Sequence, residues 1–344
     1  VKPRPPLAPG RLAAWLLGLG ALLVFTLVLG VSFGAGRVSM LQLVGLGAPL
    51  SEVERSILFD VRLPRVLLAA VLGGSLTATG VVFQALLRNP LADPYVLGVS
   101  GGASLGGVVA VLLGLGRAGA QLSGIGVPTA AFLGALLTLF LIERIATVDG
   151  RLTVYSVLLT GAVFNATSGA LIYFLQSIAS LEQLHAIVFY LLGSVPSVGY
   201  GSLGGLAAAS LAATLALYAM AREYNALSLG EEGAAQLGVE VERLKRWTFV
   251  LGSLLTGLAV AVAGMIGFVG LIVPHLLRLV LGSDHRLLLP ASYLAGGAFL
   301  VGADLVSRVV LAPNEIPVGV ITALAGGPFF LYLMRRSRGR HVMV

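Results

Sequence analysis

The stretch "LLRNPLADPYVLGVSGG", residues 86–102, decides how this chain is read. Two prolines, an arginine, an asparagine and an aspartate interrupt a sequence that is apolar on both sides. Pro90 and Pro94 lack an N–H and disfavour helix in the residue before each, so a helix arriving from the N-terminal side must stop here. Asn89 can hydrogen-bond the backbone groups that such a stop sets free. The segment that follows, "VLGVSGGASLGG" (96–107), has an unusually small surface. Two readings stand: a rigid turn, or an elbow where a passage narrows.

The surroundings of that corner follow from composition. Of 344 residues, 57% are hydrophobic and 11% charged, with a mean hydropathy of +0.98. A soluble domain carries about 25% charged residues, so lipid is the solvent this chain suits. The 46 glycines are spread through the apolar stretches, where small residues let helices in a bilayer approach closely. Cysteine is absent, which excludes disulfides and thiolate sites.

Charges and turn residues divide the chain into about ten helical candidates, set against the roughly 20 residues a span requires, the eighth being short and glycine-rich. They cover residues 12–34, 64–87, 94–115, 122–143, 152–176, 197–221, 247–265, 268–282, 287–311 and 315–334. The expected fold is an all-α polytopic membrane protein with a single transmembrane domain over 12–334. Residues 1–11, "VKPRPPLAPGR", are basic and proline-rich and read as disordered; 335–344 read as a basic tail. The run from Leu12 to Gly34 exceeds a signal peptide's apolar region and reads as a retained first helix. "SLEQLHAIVFYLLG" (180–193) is too short and mixed to span, and is expected at the membrane surface or partway in.

The net charge of +7 fits loop topology better than nucleic acid. With the N-terminus inside, sixteen of the 22 Lys and Arg residues fall in inner segments and six in outer ones. The six are Arg37, Arg55, Arg62, Arg65, Arg117 and Arg308. The positive-inside rule then puts both termini in the cytoplasm. Residues 62–90 also echo 246–274 in length, glycine placement and closing proline. Two five-helix repeats of opposite orientation would produce this echo, and so would chance between two apolar segments.

The two lysines, Lys2 and Lys245, sit in no phosphate loop, so the chain does not bind ATP in that manner. No nucleophile–base cluster or metal-ligand spacing is visible, and the four histidines are scattered, His275 reading as structural. Every span lacks Asp and Glu in its centre, where an ion-coupled carrier would keep one. Asp304 and Arg308, one helical turn apart near an outer helix end, read as an interfacial ion pair. The longest polar interval, "NALSLGEEGAAQLGVEVERLKRW" (225–247), is part apolar and divided by glycines. It reads as two short helices forming a docking knob, or as an ordinary loop.

Four stretches carry a resemblance: "RLPRVLLAAVLGGSLTATGVVFQALLRNPLADPYVLGVSGGA" (62–103), "SLGEEGAAQLGV" (228–239), "GFVGLIVPHLLRLVLGSDHRLLLPASYLAGG" (267–297) and "ADLVSRVVLAPNEIPVGVITALAGGPFFLYLM" (303–334). The chain resembles the FecCD-type permeases of bacterial ABC importers for iron-siderophores, haem and cobalamin.

The resemblance implies a ten-helix subunit of the bacterial inner membrane, working as a homodimer with the passage between the copies. Two ATP-binding cassette subunits would bind below, supplying the ATP and Mg sites, with no cofactor in this chain. A periplasmic or lipid-anchored substrate-binding protein would dock above, on Arg62, Arg65 and Arg308. Leu229, Gly230, Glu231, Ala234, Ala235, Gln236, Leu237 and Gly238 match the coupling helices, within a segment spanning 225–246. Asn89 and Leu91 match a cytoplasmic gate, with Val154 and Tyr155 at the other gate position. A stand-alone ion-coupled secondary carrier is the alternative function, and a membrane-embedded enzyme has no visible catalytic constellation.

Overall fold

The computed structural model describes residues 9–34, 51–115 and 126–338. Helix α1 (Pro9–Ser32) is followed by α2 (Glu52–Ser56), which continues through a π-helical stretch, Ile57–Arg62, into α3 (Leu63–Leu86). A 3₁₀ turn at Pro94–Leu97 leads to α4 (Val99–Leu112) and α5 (Val127–Ala146). Strands β1 (Thr147–Val148) and β2 (Arg151–Leu152) pair antiparallel across Asp149 and Gly150. Both turn residues have positive φ, 51° and 75°, as a tight primed hairpin turn requires. Then come α6 (Val154–Ser177), α7 (Leu181–Leu192), α8 (Tyr200–Ala219), α9 (Ala221–Leu227) and α10 (Glu231–Gln236). The described residues end with α11 (Val241–Ala263), α12 (Val269–Leu281), α13 (His285–Val309) and α14 (Val318–Arg338).

Seven of these helices are long and apolar enough to cross a membrane, and α4, α7, α12 and α14 contribute shorter apolar stretches. Each of the ten expected spans contains a helix, with shifted ends. Helix α1 starts at Pro9, inside the segment expected to be disordered, because proline's preset φ suits the first helical position. Residues 1–8 lie outside the described residues, as do 339–344 of the expected tail and Arg37 and Arg117. Helix α11 begins at Val241, six residues before the expected span. Lys245 there is neutralised by Glu231 at 3.1 Å and Glu242 at 2.6 Å, so the helix carries its polar first turns intact. The expected echo also has a different shape. The first copy is one continuous α3, whereas the second is split between α11 and α12 by residues 264–268.

Helix α3 is the axis of the molecule, buried on nearly every face. Its small residues allow this. A Cβ on Gly73 would fall on the carbonyl of Gly296 in α13, and one on Gly80 on the carbonyl of Gly270 in α12. Hydroxyls join the helices where backbones are close. Ser75 Oγ lies 2.6 Å from Ser210 Oγ of α8, and Thr77 Oγ1 donates to the Ser292 carbonyl of α13 at 2.7 Å. Helix α1 lies against α13 through Leu12, Leu16 and Leu19, one face at helical spacing, packed on Leu287 and Ala291.

Candidate functional site

The corner opens where α3 ends. Arg88 takes φ 48°, a left-handed conformation rare outside glycine, and turns the chain sharply. Asn89 Oδ1 accepts the Leu91 amide at 2.9 Å, which closes a local turn over Pro90. Asp93 Oδ1 then accepts the Tyr95 amide at 2.9 Å and caps the 3₁₀ turn. Gly98, at φ 91°, begins α4, and its missing side chain leaves room for the Gly161 backbone of α6. Asn165 in the middle of α6 donates to the Tyr95 carbonyl at 2.9 Å, and Pro94 stacks on Gly270 of α12. The chain therefore climbs from the end of α3 back to the level of helix midpoints before α4 starts. Asn89 is exposed and Leu91 half-buried. Val154 and Tyr155 open α6, with Tyr155 75% exposed.

At the opposite end of α3, the three predicted docking arginines meet. Asp304, with no exposed surface, accepts Arg65 on Oδ1 and Arg308 on Oδ2, each at 2.9 Å. Arg65 reaches on to Glu315 at 2.8 Å. The expected interfacial pair of Asp304 and Arg308 is thus a buried cluster that includes Arg65. Arg62 and Arg308 are each only 4% exposed and serve the end of α1. Arg308 donates to the carbonyls of Gly30 at 2.9 Å and Phe33 at 3.1 Å, and Arg62 to that of Val31 at 3.3 Å. A helix leaves its last four carbonyls without intrahelical partners, and cations suit that negative end.

The polar interval forms two short helices, α9 and α10, set before α11. Ala234 faces inward with no exposed surface, while Leu229 and Leu237 project at 69% and 65% exposure. Gly230, at φ 101°, makes the turn between the helices, and Gly238, at φ 84°, closes α10. Glu231 is held by Lys245. Asn225 of α9 donates to Asp284 Oδ1 at 2.8 Å and anchors the segment to the start of α13. The Arg286 guanidinium, hydrogen-bonded to Asp284, holds that carboxyl at about 2, with Asn225 adding to the effect against partial burial. Burial pushes the Tyr224 phenol upward. Among the described residues no group of three or more acidic or histidine side chains is arranged to hold a metal ion.

The profile of the FecCD transport family matches residues 22–336. The chain belongs to the FecCD transport family. It is 41% identical over 340 residues to the ABC transporter permease protein YvrB of Bacillus subtilis, covering 96% of this chain and 95% of that one. It is 43% identical over 296 residues to the cobalamin import permease BtuC of Halobacterium salinarum, covering 85% and 78%. The hemin transport permease HmuU of Yersinia pestis is 38% identical, over 94% of this chain and 96% of its own. Among solved structures, an inward-facing metal-chelate type ABC transporter matches with a TM-score of 0.83 and 33% identity, covering 94% and 99%. PsaBC of Streptococcus pneumoniae, at 16% identity and a TM-score of 0.53, shares the fold alone.

As a member of the FecCD family the chain is a multi-pass permease, and its apolar helices agree with that. The residues singled out in the sequence form three groups: the corner, the arginine cluster and the knob. The fold joins Arg65 to Arg308, and Asn89 to Leu91. No hydrogen bond joins Val154 or Tyr155 to Asn89 or Leu91 among the described residues. Sequence reasoning missed Tyr95, Asn165 and Glu315, whose partners lie far away in the chain. For Glu315 the signal was present, as a lone acid beside an outer cluster of arginines.

Proposed function

We propose that this FecCD-family permease works as one of two identical subunits of an ATP-driven importer in the bacterial cytoplasmic membrane. Its cargo is an iron-siderophore, haem or cobalamin chelate. Ten spans in two oppositely oriented halves, with both termini cytoplasmic, form each subunit. In support, α4 and α12 hold corresponding places in the two halves. Both are short, and each begins on a left-handed residue, Gly98 or Phe268.

The observation that carries this reading is the knob. A chain without a phosphate loop of its own presents two exposed leucines on a braced pair of short helices. Such a surface suits a cleft in a partner ATPase, which supplies the ATP and Mg sites. Residues Leu229 to Gly238 would transmit nucleotide turnover, and Asn89 and Leu91, with Val154 and Tyr155, would narrow the exit. At the outer face a binding protein's carboxylates would engage the arginines. Arg65 is the accessible one, and Glu315 occupies it meanwhile. Exposed pairs of this kind contribute about 0–1 kcal/mol each, so their work is steering and register.

The test is uptake into proteoliposomes holding the permease, its ATPase and a chelate-loaded binding protein. ATP-dependent accumulation is expected, and Leu91→Ala should raise leak without ATP. Accumulation by the permease alone on an ion gradient would overturn the reading in favour of a secondary carrier.

A further inference from the structure

Between the α3 corner, the end of α9 and the turn joining α12 to α13 lies a cavity of about 260 Å³, lined by Gln84, Arg88, Ser228, Arg278, Ser283 and His285 among others. Its charges are unbalanced. Asp284 is occupied by Arg286 and Glu231 by Lys245. Neither Arg88 nor Arg278 has a carboxylate within ion-pair distance among the described residues. Arg88 is exposed, but Arg278 is partly buried, where a guanidinium is costly without a counter-charge.

Two residues of this wall, His285 and Gln84, each hold a buried acceptor behind its surface. Asn225 Nδ2 donates to Asp284, so its Oδ1 is the acceptor for the His285 amide at 2.9 Å. The same Oδ1 lies 2.7 Å from His285 Nδ1, which must therefore carry the ring hydrogen. That leaves Nε2 of the neutral imidazole as a bare acceptor, buried and without a protein partner. Gln84, 2% exposed, turns its amide nitrogen to the carbonyls of Gly270 and Leu271, and its Oε1 is likewise buried and unpartnered. Buried polar atoms in native proteins nearly always find partners. Neither atom reaches the cavity surface, so what the wall asks for is anionic oxygens at the arginines.

We propose that this cavity binds a phosphate group, and that it is the headgroup of an anionic phosphoglycerol lipid. Hydrogen phosphate from solution has the same chemistry. The lipid is favoured because Leu276, Leu279 and Val280 of α12 flank Arg278 with 41%, 54% and 57% exposure, an apolar strip on which acyl chains lie. Arg88 Nη1 stands 3.6 Å from where a Cβ on Gly230 would be, so a bound headgroup braces the corner against the turn between α9 and α10.

The full chain, delipidated in neutral detergent, is titrated with dioleoyl phosphatidylglycerol by native mass spectrometry. Dioleoyl phosphatidylcholine and inorganic phosphate form parallel arms. Phosphatidylglycerol is expected to bind at least about ten-fold more weakly to the Arg88→Asn/Arg278→Gln variant than to the wild type, with phosphatidylcholine indifferent to the change. Asparagine tolerates the left-handed backbone at position 88, so Arg88→Asn alone serves if the double variant does not fold; about three-fold weakening is then expected. Phosphate that binds the wild type, loses affinity in the variant and displaces the lipid would overturn the lipid as occupant while keeping the anion site. Equal phosphatidylglycerol binding by wild type and variant, or none by the wild type, would overturn the site itself.

Discussion

The hydroxyl of Tyr95 lies 3.0 Å from both the carbonyl oxygen and the amide nitrogen of Ile266, donating to the first and accepting from the second. Ile266 sits in the break between α11 and α12 and is 1% exposed, so its backbone has no water to turn to. Tyr95 itself stands in the break before α4, with its amide on Asp93 and its carbonyl accepting from Asn165 and Ser100. One side chain therefore ties two interrupted helices to each other and to α6. The corner is rigid because of contacts far beyond its own residues.

Tyr95→Phe keeps the ring and removes the hydroxyl, leaving a buried N–H and C=O of Ile266 without their partner. The cost of such orphaned groups is about 1–3 kcal/mol each. A lower thermal unfolding midpoint in detergent is expected, together with faster amide exchange at residues 264–268. A midpoint equal to that of the wild type would show that the clasp contributes nothing.

Asp304→Asn removes the shared anion from between Arg65 and Arg308 and leaves two cations facing each other. Breaking a buried pair by deleting one partner costs about 3–5 kcal/mol. Glu315→Gln, at the exposed arm of the same cluster, should cost less than about 1 kcal/mol. Unfolding midpoints compare the two variants directly; similar small losses in both would mean that Asp304 is not the organising charge.

The sequence carried most of the span positions, because apolar runs bounded by charges state their own ends. It also carried the two short helices around Gly230, since glycines and a run of acids mark them. It did not carry the extension of α3 backward through Glu52–Arg62. Glu52, Glu54, Arg55 and Asp60 look like loop, yet they form capped helix from Ser51 onward, with Glu54 closing a capping box. Phe268 at φ 67° gave no warning, because nothing in an aromatic residue announces a left-handed corner. The burial of Arg62 and Arg308 was equally hidden. Beyond the Asp304 that Arg308 shares, their acceptors are carbonyls at and just past the end of α1, and backbone acceptors leave no mark in a sequence.

Leu229→Ser with Leu237→Ser tests the knob. Both side chains are exposed, so the fold should lose no more than about 0.5 kcal/mol. Co-purification with the proposed ATPase partner should fall sharply in the same variant. Ala234→Leu is the contrasting case, since that position is closed and the substitution must displace the helix itself. Retained ATPase association in the double serine variant would remove the knob from the interface.

Asp284 gives the protein a dependence on acid with a definite sign. Its hydrogen bond from Arg286 depresses its value to about 2, against roughly 3.9 for an unperturbed aspartate. The unfolded chain thus binds this proton first as pH falls, and the stability contributed by the charged form is complete above about pH 4. It is lost as pH drops through about 2. The difference in unfolding midpoint between the wild type and Asp284→Asn should hold steady from pH 8 to 5, then narrow between 4 and 2. A difference that shrinks already above pH 5, or persists undiminished at pH 2, would detach Asp284 from the joint between α9 and α13.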